Sequence, residues 1–243
     1  FRAVGARRDE VTVANKLWWE FWPAQDAVAE LEASLRRMQF ERIDLLYSST
    51  LPDQIPVAVC VEQVAQVLQT GRVGAWAVVN WSAQATERAC DESARVGIPP
   101  PCAAQLPYSL ARREWVEDAA MDAALDRAGA SLVPSATLAG GALSGKYAAG
   151  GHGRLSGELD EPRWRSALAL GEALGEQAAR LGTDPATLAI AFTLCHPRAA
   201  ATLIGATASA QIDAAIDAVS LAEHLADADL AVLRALADAH AAQ

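Results

Sequence analysis

Only two lysines, Lys16 and Lys146, stand beside 18 arginines in this chain. Arginine fills nearly every generic cation role, so each lysine asks for a reason. Lysine is a compact point charge whose pKa shifts readily on burial, which a guanidinium cannot match. Lys16 ends the run Val11-Thr12-Val13-Ala14-Asn15-Lys16, which reads as a buried strand. Other apolar runs also end on polar or small residues: Ser48 and Ser49, Asn80, Gln105, Ser135 and Gly205. An amine, hydroxyls and amides at one end of a parallel sheet form a ring able to orient and polarise a polar substrate. Strand ends turn polar in any fold, so each residue alone also fits a plain exit into a loop. Asn80 and Gln105 equally fit amides of a barrel core.

The elements that must position this ring alternate between strand and helix. Strands are expected at 11–16, Ile43–Ser48, Val73–Val79, Cys102–Gln105, Ala130–Ser135 and Ala201–Gly205. Helices are expected near Ala24–Met38, Val57–Gln69, Ser82–Arg95, Arg113–Ala128, Arg163–Leu181, Pro185–Cys195, Ser209–Leu221 and Asp227–Ala239. Val28, Leu31 and Leu35 share one face of the first of these, Gly71 gives the second its C-cap, and Ser82 caps the third. Such alternation implies parallel strands with helical crossovers. A (β/α) barrel fits better than an open sheet, because no G-x-G-x-x-G turn follows the first strand. Eight strands need two more units, about 60 residues by the usual size of a barrel. Residues Phe1–Gly5 read as the end of a helix, so the expectation is one N-terminally incomplete barrel domain over 1–243. The glycine-rich stretch 148–161 reads as a mobile loop.

Composition narrows the function. The 243 residues are 52% hydrophobic, inflated by 55 alanines, and carry a net charge of -10. An acidic chain without a basic cluster is a poor nucleic-acid binder. No apolar run reaches membrane-spanning length, and no signal-peptide pattern opens the chain. Cys60, Cys90, Cys102 and Cys195 lie far apart without a CxxC, which reads as ordinary buried thiols in a reducing, cytoplasmic setting. His152, His196, His224 and His240 show no metal-ligand spacing. Trp18, Trp19, Trp22 and Trp81 follow strand ends. They either wall an apolar substrate pocket or pack beneath loops.

Several segments, in order and spacing, resemble the aldo-keto reductase family, in the branch that includes potassium-channel β subunits and bacterial relatives. They are Val13-Ala14-Asn15-Lys16, Leu31-Glu32-Ala33-Ser34-Leu35-Arg36-Arg37-Met38, Ile43-Asp44-Leu45-Leu46, Gly71-Arg72-Val73, Asn80-Trp81-Ser82 and Gln105-Leu106-Pro107-Tyr108-Ser109. Leu138-Ala139-Gly140-Gly141-Ala142-Leu143-Ser144-Gly145-Lys146-Tyr147 and Leu203-Ile204-Gly205-Ala206 with Gln211 complete the set. The resemblance implies a (β/α)8 TIM barrel lacking its first two strands here, and NADPH-dependent reduction of a small carbonyl or enone. In such enzymes hydride passes to the carbonyl while a Tyr protonates the oxygen, a Lys lowers the Tyr pKa, an Asp pairs with the Lys and a His orients the carbonyl.

By this resemblance Lys16 takes the family Lys position and Ser49 the His position. The Asp and Tyr positions would precede the first strand. Asn80 and Gln105 match the pair that holds the nicotinamide carboxamide. Ser135 aligns where an aromatic stacks on the nicotinamide, and it offers almost no stacking area. Leu138, Ala139, Gly140 and Gly141 match the pyrophosphate loop, and Lys146 and Arg154 match phosphate-neutralising cations. Gly205, Thr207 and Gln211 fit the adenosine-phosphate site, where Ala214-Ala215 replaces an expected Glu-Asn pair. Trp18, Trp19, Tyr47 and Trp81 are the substrate-pocket candidates. Two rival readings use the same residues: a reductase-like barrel acting as a binding or regulatory protein, and a non-redox lyase or cyclase with Lys16 as acid or base.

Overall fold

The computed structural model describes residues 5–241. Four parallel strands open the chain: β1 (Ala14–Leu17), β2 (Ile43–Ser48), β3 (Val73–Val79) and β4 (Ala103–Pro107). Their registers pair Lys16 with Tyr47, Tyr47 with Ala77, and Val79 with Gln105. Crossovers are α1 (Ala27–Met38), α2 (Val57–Gln69), α3 (Ala83–Val96) and α4 (Ala119–Ala128). β5 (Ser131–Ser135) follows, in the order β1-β2-β3-β4-β5. A 3-10 turn at Ala139–Ser144 leads to α5 (Pro162–Arg180), α6 (Pro185–Leu194), α7 (Ser209–Ala222) and α8 (Asp227–Ala241). The parallel α/β class expected from the alternation is the class observed.

The chain forms two compact units. One holds the residues up to 105 with 119–131; the other holds 106–118 and the residues from 132 on. In the first, α1 starts where the Asp26 carboxylate accepts the Ala29 N–H at 2.8 Å, a side-chain N-cap. It buries Ala27, Leu31, Ser34 and Leu35, the i, i+4, i+7, i+8 stripe of an amphipathic helix. Between β2 and β3, Gly74 lets the strands close up, because a Cβ there would lie 2.8 Å from the Asp44 carbonyl oxygen. In the second unit α6 is apolar all round and largely buried, the pattern of a core helix.

Three expectations change, and a fourth falls mostly outside the described residues. β1 begins at Ala14, and only Leu17 in it is buried; Val11 is exposed. Residues 113–118 make a single turn, with Val116 and Glu117 N–H groups donating to the Arg113 carbonyl, and the helix starts at Ala119. Ala201–Gly205 is not a strand. It starts as one: Leu132 donates to Arg198 and accepts from Ala200, with a parallel bridge to Ala199. Pro134 then has no N–H to give, and its carbonyl accepts from Leu203 at 2.9 Å, one residue out of register. Finally, four of the residues expected to end a helix, Phe1–Val4, lie outside the described residues; Gly5 is a turn.

Cys60 is fully buried on α2, 3.3 Å from Ser48 Oγ. Burial pushes its thiol from 9.0 to about 12, with the Ser48 contact opposing. An unfolded chain loses that proton near 9.0 and the native protein near 12, so the unfolded state binds fewer protons in between. Stability therefore falls as pH rises across this window. Tyr47, pushed up from 10.0 to about 12 chiefly by burial, acts with the same sign. Cys60→Val is expected to flatten the alkaline loss, read as urea midpoints at about pH 8 and about pH 10.5. An unchanged slope in the variant would count against the thiol as its source.

Candidate active site

In the first unit, the ends of β1–β4 present Lys16, Tyr47, Ser49, Asn80 and Gln105 on neighbouring strands. Lys16 Nζ lies 5.9 Å from the centre of the buried Tyr47 ring, near the outer limit of a cation–π contact. Ser49 is buried, and its hydroxyl donates to the Leu17 carbonyl. This corrects its expected use: that proton is committed to the backbone rather than offered to a substrate.

Asn80 and Gln105 form the most telling pair. Asn80 is left-handed at φ 58°, a conformation Asn tolerates better than most residues. Its N–H donates to the Gln105 carbonyl at 3.0 Å, so the two side chains issue from adjoining backbone. Among the described residues four buried side-chain polar atoms have no hydrogen-bond partner, and Asn80 Oδ1 and Gln105 Oε1 are two of them. A buried acceptor left unpaired costs about 1–3 kcal/mol, so such pairs persist where a ligand supplies the donor. Gln105→Leu is accordingly expected to raise the stability of the ligand-free protein by about 1 kcal/mol, seen as a higher urea midpoint. A drop of that size instead would show that the amide is satisfied at home.

The tryptophans divide. Trp19 and Trp81 are buried, and their indole N–H groups donate to Ser48 Oγ (3.0 Å) and the Ser49 carbonyl (2.9 Å). They brace the β2 end. Trp18 is 63% exposed and follows Leu17 directly. Its loop is tied down by Glu30, whose carboxylate accepts from the Trp18 N–H at 2.7 Å. Glu30 carried no expected role, although an acid in the first turn of a helix is a recurrent anchor for backbone N–H groups.

In the second unit, Ser135 ends β5 and its carbonyl accepts from Tyr108 N–H at 3.0 Å. The turn after it is left-handed at Ala136 (φ 53°), Ala139 (47°), Gly140 (70°) and Gly141 (96°). Alanine in this region is strained, and strain of this kind collects at ligand clamps. Ser144 Oγ donates to the Gly141 carbonyl at 2.7 Å. Lys146 packs over Tyr147, 5.0 Å from Nζ to ring centre. The Lys146 side chain also fills the space a Cβ on Gly153 would need, 2.3 Å from Nζ. Leu155 is buried against Ala142 and Ala167, so 148–161 is pinned at that point, and Arg154 is exposed.

Gln211 departs from its expected role. Its side-chain oxygen accepts from the Thr207 N–H at 2.7 Å and the Ala208 N–H at 3.3 Å. It thus caps its own helix, α7, while Gly205 and Thr207 are exposed. Ala214 and Ala215 bring no polar side-chain atom beside it.

A family profile described as "Aldo/keto reductase family" matches residues 2–238. The chain is 26% identical to an L-glyceraldehyde 3-phosphate reductase of Escherichia coli (strain K12), over 96% of this chain and 75% of that protein. It is 29% identical to a probable voltage-gated potassium channel subunit beta of Oryza sativa subsp. japonica, over 87% and 69%. A similarly described protein of Arabidopsis thaliana is 26% identical, over 90% and 71%.

Proposed function

This chain belongs to the aldo/keto reductase family, an oxidoreductase family of barrel fold, and on that premise we propose that it is an NADPH-dependent reductase of a small carbonyl or enone. The observation that carries the reading is the pair of unpartnered buried acceptors, Asn80 Oδ1 and Gln105 Oε1. A nicotinamide carboxamide brings an NH2 donor of the kind they lack. The left-handed turn 136–141 suits a pyrophosphate, with Lys146 beside it as counter-charge. The adenosine end is thinner, because Gln211 is engaged with its own helix and Ala214-Ala215 offers no polar group.

When bound, NADPH supplies a hydride to the carbonyl carbon. This chain's part is to hold and polarise. Lys16 brings a positive charge to the strand end, where negative charge grows on the carbonyl oxygen. Tyr47, its phenol held neutral by burial, sets its ring centre 5.9 Å from the ammonium. Trp18 gives an apolar face to the substrate. With four free thiols, the protein is assigned to a reducing cytoplasm.

The test is NADPH consumption across a carbonyl panel that includes L-glyceraldehyde 3-phosphate, the substrate in the name of the Escherichia coli relative, and a simple enone. Substrate-dependent loss of NADPH absorbance is expected. A second reading, a barrel that binds cofactor without turnover, is favoured by Ser135 and by the committed Ser49 hydroxyl. Saturable binding with no consumption anywhere on the panel would replace the first reading by the second.

A further inference from the structure

A cavity of ≈ 350 Å³ in the second unit is walled by the segment after β4, the turn after β5 and the first turn of α5. Its apolar sides are fixed. Tyr108 is buried and stacks on Phe192, 5.7 Å between centroids at 27°. The Tyr108 hydroxyl donates to Glu117 at 2.8 Å, and Arg234 grips both oxygens of that carboxylate at 2.7 and 2.8 Å. Burial and this bond hold the phenol above its ordinary range, so it stays neutral. Trp164, which also lines the cavity, is held by Glu158, which accepts its indole N–H at 3.0 Å.

Two guanidiniums line the same cavity. Arg112 lies over Trp115 at 5.6 Å, and Arg163 over Trp164 at 5.5 Å. Resting on indole faces orders a guanidinium without using its N–H groups. Arg163 donates to Glu158, and Arg112 Nε is 3.6 Å from Glu114. A guanidinium has five N–H donors, so one carboxylate each leaves most of the fork available. Two preset forks above fixed aromatic walls match a planar anion joined to an apolar body.

We propose that this cavity binds a small aromatic carboxylate, its acid group between Arg112 and Arg163 and its ring against Tyr108 and Trp164. The proposal needs no cofactor, but its cavity shares Ala136, Ala139 and Gly140 with the turn assigned to the pyrophosphate. Trp115 and Trp164 lie under the two cations, so their fluorescence reports occupancy. The test titrates the full chain with benzoate and with benzamide, a neutral molecule of nearly the same shape. Benzoate is expected to quench saturably and to bind at least tenfold more tightly, with affinity falling as salt rises. In Arg112→Gln/Arg163→Gln, benzoate is expected to drop to the benzamide level. Unfolding curves of the variant check its fold, and the salt dependence of the unsubstituted protein tests the same charge without any variant. Equal affinity for the two ligands, no saturable response to benzoate in the millimolar range, or a benzoate preference that survives the double substitution would overturn the proposal.

Discussion

Lys16→Met is expected to lower the turnover of carbonyl reduction by about a hundredfold or more, the scale of a lost acid–base or charge-stabilising group, while NADPH affinity stays within about threefold. Methionine keeps the length and the apolar stem, so packing against Tyr47 survives and only the charge is lost. The fall belongs in kcat rather than KM, because the charge is asked to act on the transition state. Lys16→Arg is expected to restore little, since a broad planar cation does not place a point charge where an ammonium did. A variant that loses cofactor affinity in step with turnover would instead make Lys16 a binding residue.

Gly171→Ala is expected to destabilise the fold by about 3 kcal/mol, at the upper end for overpacking. Two effects oppose each other. Alanine in place of a mid-helix glycine gains about 1 kcal/mol of helix propensity. A Cβ at this position, however, would lie 2.0 Å from the Ala142 carbonyl oxygen and 2.9 Å from its carbon. Both are backbone atoms, so α5 or the 3-10 turn must move, and the clash outweighs the propensity. Urea unfolding at constant slope reads the loss. The same displacement acts on Ala139–Ser144, the turn assigned to phosphate, so NADPH affinity should weaken too. A variant more stable than the parent would show that this packing is looser than the geometry implies.

How much of this was legible in the sequence depends on what each element answers to. β2, β3 and α2 were readable to the residue because local patterns specify them: short, largely apolar runs for the strands, and a 13-residue helix closed by Thr70-Gly71. Residues 113–118 were not. Arg113 and Glu117 have the i, i+4 spacing of a helical pair and approach to 3.8 Å, but their closer partners lie on α8, Asp238 for Arg113 and Arg234 for Glu117. Those tertiary partners have no local signature. The strand expected at 201–205 was lost through Pro134, a residue of its neighbour rather than its own.

The candidate site divides along the same line. Asn80 and Gln105 were picked out by their place at strand ends together with the resemblance, which pairs them. Which way a polar side chain faces was not recognisable. Ser49 and Gln211 each turn the polar atom to the protein's own backbone. Trp18 and Trp19 are neighbours in sequence with opposite fates, because Trp19 adopts φ 64° and buries its ring.

The most direct measurement is an NADPH titration, followed by tryptophan fluorescence, of the unsubstituted protein beside Asn80→Ala/Gln105→Leu. Saturable micromolar binding is expected in the first and at least tenfold weaker binding in the second, the loss of one or two buried hydrogen bonds. Equal affinity in both proteins, or no binding in either, would contradict the assignment of these two amides to the nicotinamide.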